Sequence, residues 1–272
     1  MGKLFAVVLI VITIISTAIF IFHDFAGMSL WLPVDGSAHA HGVDHQLMET
    51  MYGSGFLFVL SQILLGLFVW QASDRPEGWK YKVFPGGAKP MVTLAIVLVG
   101  IEILTLSFVG SRVWAGIYFT EAKAEALPID VQAGQFAFYF RYAGADGKFG
   151  AIHPDKIDEG SGNFFGLDPR NDEAARDDIV VASMVIPVNR EINLTMHSKD
   201  VIHSFYVREL RLQQDIVPGL MIPLHFTATR TGRYEIVCTQ LCGLGHYQMR
   251  AYLEVKTQEE FDKWLKDQEA AQ

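Results

Sequence analysis

The sequence predicts a membrane-anchored chain that ends in an all-β sandwich or barrel. Three observations lead there. Three long stretches before residue 111 are almost free of charge. After them, short apolar runs alternate with Gly, Pro, Asn and Asp, the pattern of short strands joined by turns. Half of all residues are hydrophobic and the mean hydropathy is +0.23, high for a chain without membrane segments.

Residues 4–22 are uncharged, rich in β-branched side chains and long enough to cross a bilayer; Lys3 precedes them. A cleaved signal peptide is the rival reading, because Ala38-His39-Ala40 has a small-x-small pattern. That pattern lies far beyond the apolar run, so a membrane helix or signal anchor over 1–22 is favoured. Residues 23–52 read as a polar external connector with Asp24, Asp35, Asp44 and Glu49 but no Lys or Arg. His39, His41 and His45 cluster there and are taken as part of a solvated loop rather than a metal-loading site.

Residues 53–110 read as a two-helix membrane hairpin, with apolar runs over 53–70 and 91–110 and Trp70 as an interfacial anchor. The loop 71–90 between them carries Arg75, Lys80, Lys82 and Lys89. The positive-inside rule therefore puts this loop and the amino terminus in the cytoplasm, and everything after Gly110 outside. Glu102 is the one ionisable group within the spans. It serves either proton handling or a hydrogen bond to a neighbouring subunit.

Residues 111–272 form the external β domain. Phe136, Phe138, Phe140 and Tyr142 recur with period two, which predicts one strand over 131–142. Residues 143–178 are rich in Gly, Asp, Asn and Pro and predict a long loop. Short strands are predicted over 179–187, 191–197, 203–207, 222–229, 232–237 and 250–255. Thr257-Gln258-Glu259-Glu260 is a capping box. Phe261, Trp264 and Leu265 then line one face of a short terminal helix.

The chemistry concentrates in Cys238-Thr239-Gln240-Leu241-Cys242-Gly243-Leu244-Gly245-His246-Tyr247-Gln248-Met249, which holds the only two cysteines. Thiol, imidazole and thioether are the side chains soft transition metals prefer, copper above all. A further imidazole, His203, lies upstream in Asp200-Val201-Ile202-His203-Ser204-Phe205. One thiolate, two imidazoles and a thioether make a single-copper electron-transfer pattern. The second thiolate leaves room for two metals bridged by two sulfurs. A disulfide and a zinc site of Cys238, Cys242, His246 and His203 are the alternatives, but zinc gains nothing from Met249. His153, His197 and His225 are taken as surface or strand histidines. The net charge of −8 argues against a nucleic-acid partner and for a basic protein. Two cysteines are too few for a disulfide scaffold.

With those residues laid out, the chain resembles cytochrome c oxidase subunit II from about residue 53 onward. The resemblance rests on the Asp200–Phe205 and Cys238–Met249 motifs, with Gln214-Asp215-Ile216-Val217-Pro218-Gly219-Leu220 between them. It implies a cupredoxin-like domain holding a binuclear copper (CuA) centre. Cys238 and Cys242 would bridge two coppers, and His203 and His246 would each bind one. Met249 would ligate one copper and the backbone carbonyl of Gln240 the other.

The resemblance also implies a subunit that takes electrons from cytochrome c, or from a cytochrome c domain of a respiratory complex. It would pass them to a heme in subunit I, where oxygen is reduced to water and protons are translocated. Subunit I, subunit III and membrane lipid are the implied partners. The implied location is a bacterial inner membrane, with the copper domain on the periplasmic side. No residue of this subunit is catalytic in the oxygen chemistry.

Three departures from the family stand out. Gln240 replaces a usual Glu whose carboxylate helps hold magnesium at the subunit I contact, which puts magnesium in doubt. Phe136 stands where the family has Trp for electron uptake. The loop 143–178 is longer than the family's minimum. Asp200 resembles the family's acidic docking position, and Asp215 a position at the subunit I contact that could equally orient its turn. The competing functions are a membrane-tethered copper delivery protein and a copper-free quinol oxidase subunit II. Retention of both cysteines, His246 and Met249 disfavours the last.

Overall fold

The computed structural model describes residues 1–22, 32–76 and 88–271. It divides into two compact units, Met1–Pro33 with Gly42–Val113, and Val34–His41 with Trp114–Gln272. The first unit is built on α1 (Gly2–Ile21), α2 (Ala40–Ala72) and α3 (Lys89–Tyr118). Among the described residues these three helices are long and apolar enough to cross a membrane. Outward side chains such as Phe56, Phe68, Ile96 and Phe108 are exposed, a surface that lipid accepts and water penalises.

Helix α2 begins at Ala40, so the second half of the expected connector is helical. Likewise α3 runs past Gly110 to Tyr118. The apolar run marks only the part of a helix that lies in hydrocarbon, and polar turns extend it at either end. In the extension of α2, His45 Nδ1 stands 3.5 Å from Glu49 Oε1, one turn on. Gly66 lets α1 approach α2: a Cβ there would stand 2.6 Å from Ile10 Cγ1. Lys3 Nζ pairs with Asp74 Oδ2 at 2.5 Å. Glu102 accepts a hydrogen bond from Ser54 Oγ on α2 at 2.6 Å, so a partner for this carboxylate comes from its own chain. Lys80 and Lys82, two of the four cations of the loop expected in the cytoplasm, lie outside the described residues, as do His23 and Asp24.

The second unit contains two five-stranded sheets among the described residues. One sheet has the order β3-β2-β1-β5-β8 and the other β4-β10-β9-β6-β7. The strands are β1 (Leu127–Gly134), β2 (Ala137–Tyr142), β3 (Ile179–Val181), β4 (Met184–Pro187), β5 (Glu191–Ser198), β6 (His203–Val207), β7 (Leu212–Ile216), β8 (Ile222–Thr227), β9 (Gly232–Cys238) and β10 (Arg250–Lys256). Inward residues such as Val131, Phe138, Leu194, Phe205 and Leu253 are fully or almost fully buried and make the core.

The predicted strand over 131–142 is instead a hairpin. Gly134 pairs with Ala137, and Gln135 and Phe136 make the turn. Period-two alternation runs through such a turn without a visible break, so periodicity could not separate the two strands. Phe136 therefore leaves the face shared by Phe138, Phe140 and Tyr142. The run 179–187 also splits, into β3 and β4 in different sheets. Strand β7 was not foreseen, because only its ends, Leu212 and Ile216, are buried and apolar.

Residues 34–41 are stitched to the β unit. Ser37 bridges Ala228, Ala38 N–H donates to Thr227 O at 3.0 Å, and Ser37 Oγ donates to Leu210 O at 2.7 Å. The small-x-small run thus lies against the domain, with Ala40 buried. The loop 143–178 holds no strand and is organised by buried Arg141. The guanidinium pairs with Asp130 and, at 3.1 Å, with Asp178, and donates to Gly150 O at 2.8 Å. Helix α4 (Gln258–Glu269) starts at the expected capping box, buries Phe261 and sets Trp264 5.1 Å from the Tyr142 ring.

Candidate metal centre

Three strands of one sheet carry the thiols and their neighbours. His203 opens β6, Cys238 closes β9, and Cys238 N–H donates to Met249 O at 3.1 Å, closing the loop that leads into β10. Phe205 pairs with Cys238 across β6 and β9, which brings the two sequence motifs together. His203, Cys238, Cys242 and Met249 are buried, while Leu241, Leu244 and Tyr247 of the same loop are exposed.

The sulfurs Cys238 Sγ and Cys242 Sγ stand 3.8 Å apart, and both cysteines are free. Each thiol has its own imidazole. His203 Nδ1 lies 3.9 Å from Cys238 Sγ, and His246 Nδ1 3.6 Å from Cys242 Sγ. Met249 Sδ lies 3.7 Å from Cys242 Sγ, and the Gln240 carbonyl oxygen 3.2 Å from Cys238 Sγ. A metal about 2.3 Å from two thiolates at a tetrahedral angle separates them by roughly 3.8 Å. The spacing therefore fits shared metal ligation, whereas a disulfide needs about 2.05 Å. Among the described residues His203, Cys238 and Cys242 form the group of His, Cys and carboxylate ligands close enough to hold an ion.

The electrostatics split the two thiols. Burial pushes the Cys238 thiol up, but hydrogen bonds from His203, the Ser204 and Gln240 backbone and His246 outweigh it and bring it down to about 6. Burial, then the neighbouring Cys238 thiolate, pushes Cys242 up to about 11. The pair thus loses one proton readily and keeps the other until something positive replaces it. Burial lowers His203, but Cys238 and Asp200 more than offset this and raise it above its usual value.

All six groups singled out from the sequence lie together here. Phe136 lies over the loop: a Cβ on Gly245 would stand 2.4 Å from Phe136 Cδ2. The Phe136 side chain remains 39% exposed. Asp200, expected as a docking carboxylate, is committed to the site. It accepts from His203 Nε2 at 2.8 Å, from Gln135 N–H at 2.7 Å and from Val201 N–H at 2.7 Å. It is the carboxylate that orients the His203 ring. Gln240 Nε2 donates to Asp215 Oδ2 at 2.8 Å.

Sequence reasoning missed Gln135, whose side-chain Nε2 donates to Cys242 O at 2.5 Å. It also missed Gln213, which donates to Thr239 Oγ1 at 3.3 Å and whose carbonyl accepts from Tyr118 Oη at 2.8 Å. These contacts join residues far apart in the chain, and no local pattern announces them. His225 is held by Glu191 at 3.0 Å and Thr120 at 3.1 Å, and His197 sits in β5 opposite Gln132.

Residues 170–256 match the family described as cytochrome c oxidase subunit II, periplasmic domain. The chain is similar to the alternative cytochrome c oxidase subunit 2 of Bradyrhizobium diazoefficiens, 27% identical across 96% of this chain and 91% of that protein. It is 41% identical to cytochrome c oxidase subunit 2 of Thermostichus vulcanus across 34% of this chain and 28% of that protein. It thus spans nearly the whole of the first relative and little more than a quarter of the second. Among solved structures it is similar to the periplasmic domain of subunit II of cytochrome oxidase from Bradyrhizobium japonicum. That likeness has 26% identity and a TM-score of 0.41, covering 56% of this chain and 99% of the other.

Proposed function

We propose, from the premise that this chain belongs to the cytochrome c oxidase subunit II family, that it draws electrons from a cytochrome c into a heme–copper terminal oxidase. The single observation that carries this reading is a pair of unbonded thiols 3.8 Å apart, each with an imidazole of its own. Copper held by His203, Cys238, Cys242, His246, Met249 and the Gln240 carbonyl would supply a one-electron carrier.

The chain's own residues prepare that task. The Cys238 thiol is held below the ordinary thiol range and the Cys242 thiol above it, so the pair sheds its first proton more readily than its second. Asp200 holds the His203 ring by Nε2, which leaves Nδ1 facing Cys238. Met249 offers a thioether, a weak ligand suited to tuning a potential. The Gln240 carbonyl completes the set of His203, Cys238, Gln240, Cys242, His246 and Met249. Strands β6, β9 and β10 hold these groups on a stiff frame, so little needs to move when charge changes. Phe136 covers the loop with an apolar ring at the surface, where an electron donor would approach.

The acceptor in this reading is a heme of subunit I, which carries out the oxygen chemistry, with subunit III as a further neighbour. Residues 1–22 and 53–110 anchor the chain in a bacterial inner membrane with loop 71–90 in the cytoplasm. Residues 23–52 connect the first span to the second on the outer side, and residues 111–272 stand on the periplasmic side. No step is assigned to magnesium.

Copper loading of the full chain in detergent tests the proposal. The expected result is two coppers per chain and a purple, mixed-valence electron paramagnetic resonance signal. One copper per chain would overturn it in favour of a copper carrier. A colourless chain with no free thiols would overturn it in favour of a disulfide.

A further inference from the structure

The turn between β1 and β2 belongs to the sheet that holds none of the proposed ligands, yet it touches both ligand loops. Gln135 N–H donates to Asp200 Oδ2 at 2.7 Å, and Asp200 Oδ1 holds His203 Nε2 at 2.8 Å. The Gln135 side chain turns to the other loop, where Nε2 donates to Cys242 O at 2.5 Å. One residue therefore enters two chains of hydrogen bonds, one reaching each ligand motif. Phe136, its neighbour, presses on the same loop. A Cβ on Gly243 would stand 2.8 Å from Gln135 Nε2 and 3.1 Å from Phe136 Cε1. Gly243 also has φ +136°, where L side chains are strained. The loop backbone can pass under Gln135 and Phe136 because Gly243 and Gly245 carry no side chain.

Gln135 is exposed and adds nothing to the core. The exposed stretch of the Cys238–Met249 loop, with Leu241, Leu244 and Tyr247 in solvent, opens at little cost unless hydrogen bonds tie it. We propose that Gln135 is a positioning residue for the metal centre. It binds the His203 loop and the Cys238–Met249 loop into one frame, which sets the spacing of the two halves before any metal arrives. This rests on the reading of those side chains as copper ligands.

Two substitutions in the full chain in detergent test it. Gln135→Met keeps length and removes the donor; Gln135→Glu keeps shape and sets an acceptor against the Cys242 carbonyl. Neither touches the core. In the metal-free chain, alkylation of Cys242 should quicken about 5-fold in both, the ratio that one lost hydrogen bond brings. In the loaded chain, two coppers should still bind at saturation. Their loss to a chelator should be about 5- to 10-fold faster, and the copper hyperfine coupling should change. Parent-like alkylation and release in both variants would overturn the proposal while leaving the copper reading intact. A parent that binds no copper pair, with faster alkylation in the variants, would sink the copper reading and leave the tie between the loops standing.

Discussion

Met249 and Gln240 reach the sulfurs by different routes, one through a thioether 3.7 Å from Cys242 Sγ and the other through a backbone carbonyl 3.2 Å from Cys238 Sγ. A carbonyl cannot be removed by changing a side chain, but the thioether can. Met249→Leu nearly preserves volume in a buried position, a change that costs less than about 1.5 kcal/mol. We expect this variant to keep two coppers and to shift their reduction potential, read by redox titration of the visible bands. Complete loss of copper would refute the view of Met249 as a weak, tuning ligand. At this scale the sequence is informative because ligand chemistry is written in residue identity: thiol, imidazole and thioether cannot be mistaken. The carboxylate that orients His203 was present in the motif as Asp200, but only its 2.8 Å contact gave it that role.

At the scale of elements, the loop 143–178 depends on one buried cation. Arg141 lies between Asp130 and Asp178, under the rings of Phe149 and Phe165, and Asp178 Oδ2 also accepts from Gly150 N–H at 3.0 Å. Burial pushes the Asp178 carboxyl up to about 6, and the Gly150 N–H and Arg141 only partly offset it. The folded state thus holds a proton that the unfolded chain has lost between about pH 4 and pH 6. Stability from this group is present below about pH 4 and falls as pH rises through about 6. The loss is on the order of 3 kcal/mol at most. Asp178→Asn removes the titration and keeps an acceptor for Gly150. The thermal midpoint, followed by near-ultraviolet circular dichroism, should fall more steeply with pH in the parent than in the variant over this window. Parallel profiles would show that Asp178 carries no such linkage. The loop was legible from its Gly, Asp, Asn and Pro content, but its anchor was not. No local pattern marks Arg141 as that anchor, because its partners Asp130 and Asp178 are 11 and 37 residues away.

For the whole molecule, charge is the property that acts at a distance. The chain carries −8, and its β unit is net acidic. Around the cysteine loop the surface is apolar, with Leu241, Leu244 and Tyr247 exposed. A basic electron donor should therefore be steered by the field and seated by apolar contact. Stopped-flow reduction of the loaded chain by a basic cytochrome c should slow about 10-fold between roughly 20 and 200 mM salt, as screening shortens the reach of the field. A rate independent of salt would remove electrostatic steering from the proposal.

The sequence by itself determined the three long apolar helices, the β character of the second unit, the capped terminal helix and the identity of every proposed ligand. Each is set by local chemistry: hydropathy over a bilayer's width, alternation, a capping box, or a side chain's affinity for metal. Tertiary structure decided the rest. It turned one aromatic run into two strands and moved Phe136 from a strand face to the turn above Gly245. It put Met184–Pro187 in the sheet opposite Ile179–Val181, and it set a β1–β2 residue against the cysteine loop. Those outcomes depend on which distant segments pack together, and alternation reads the same on either side of a tight turn.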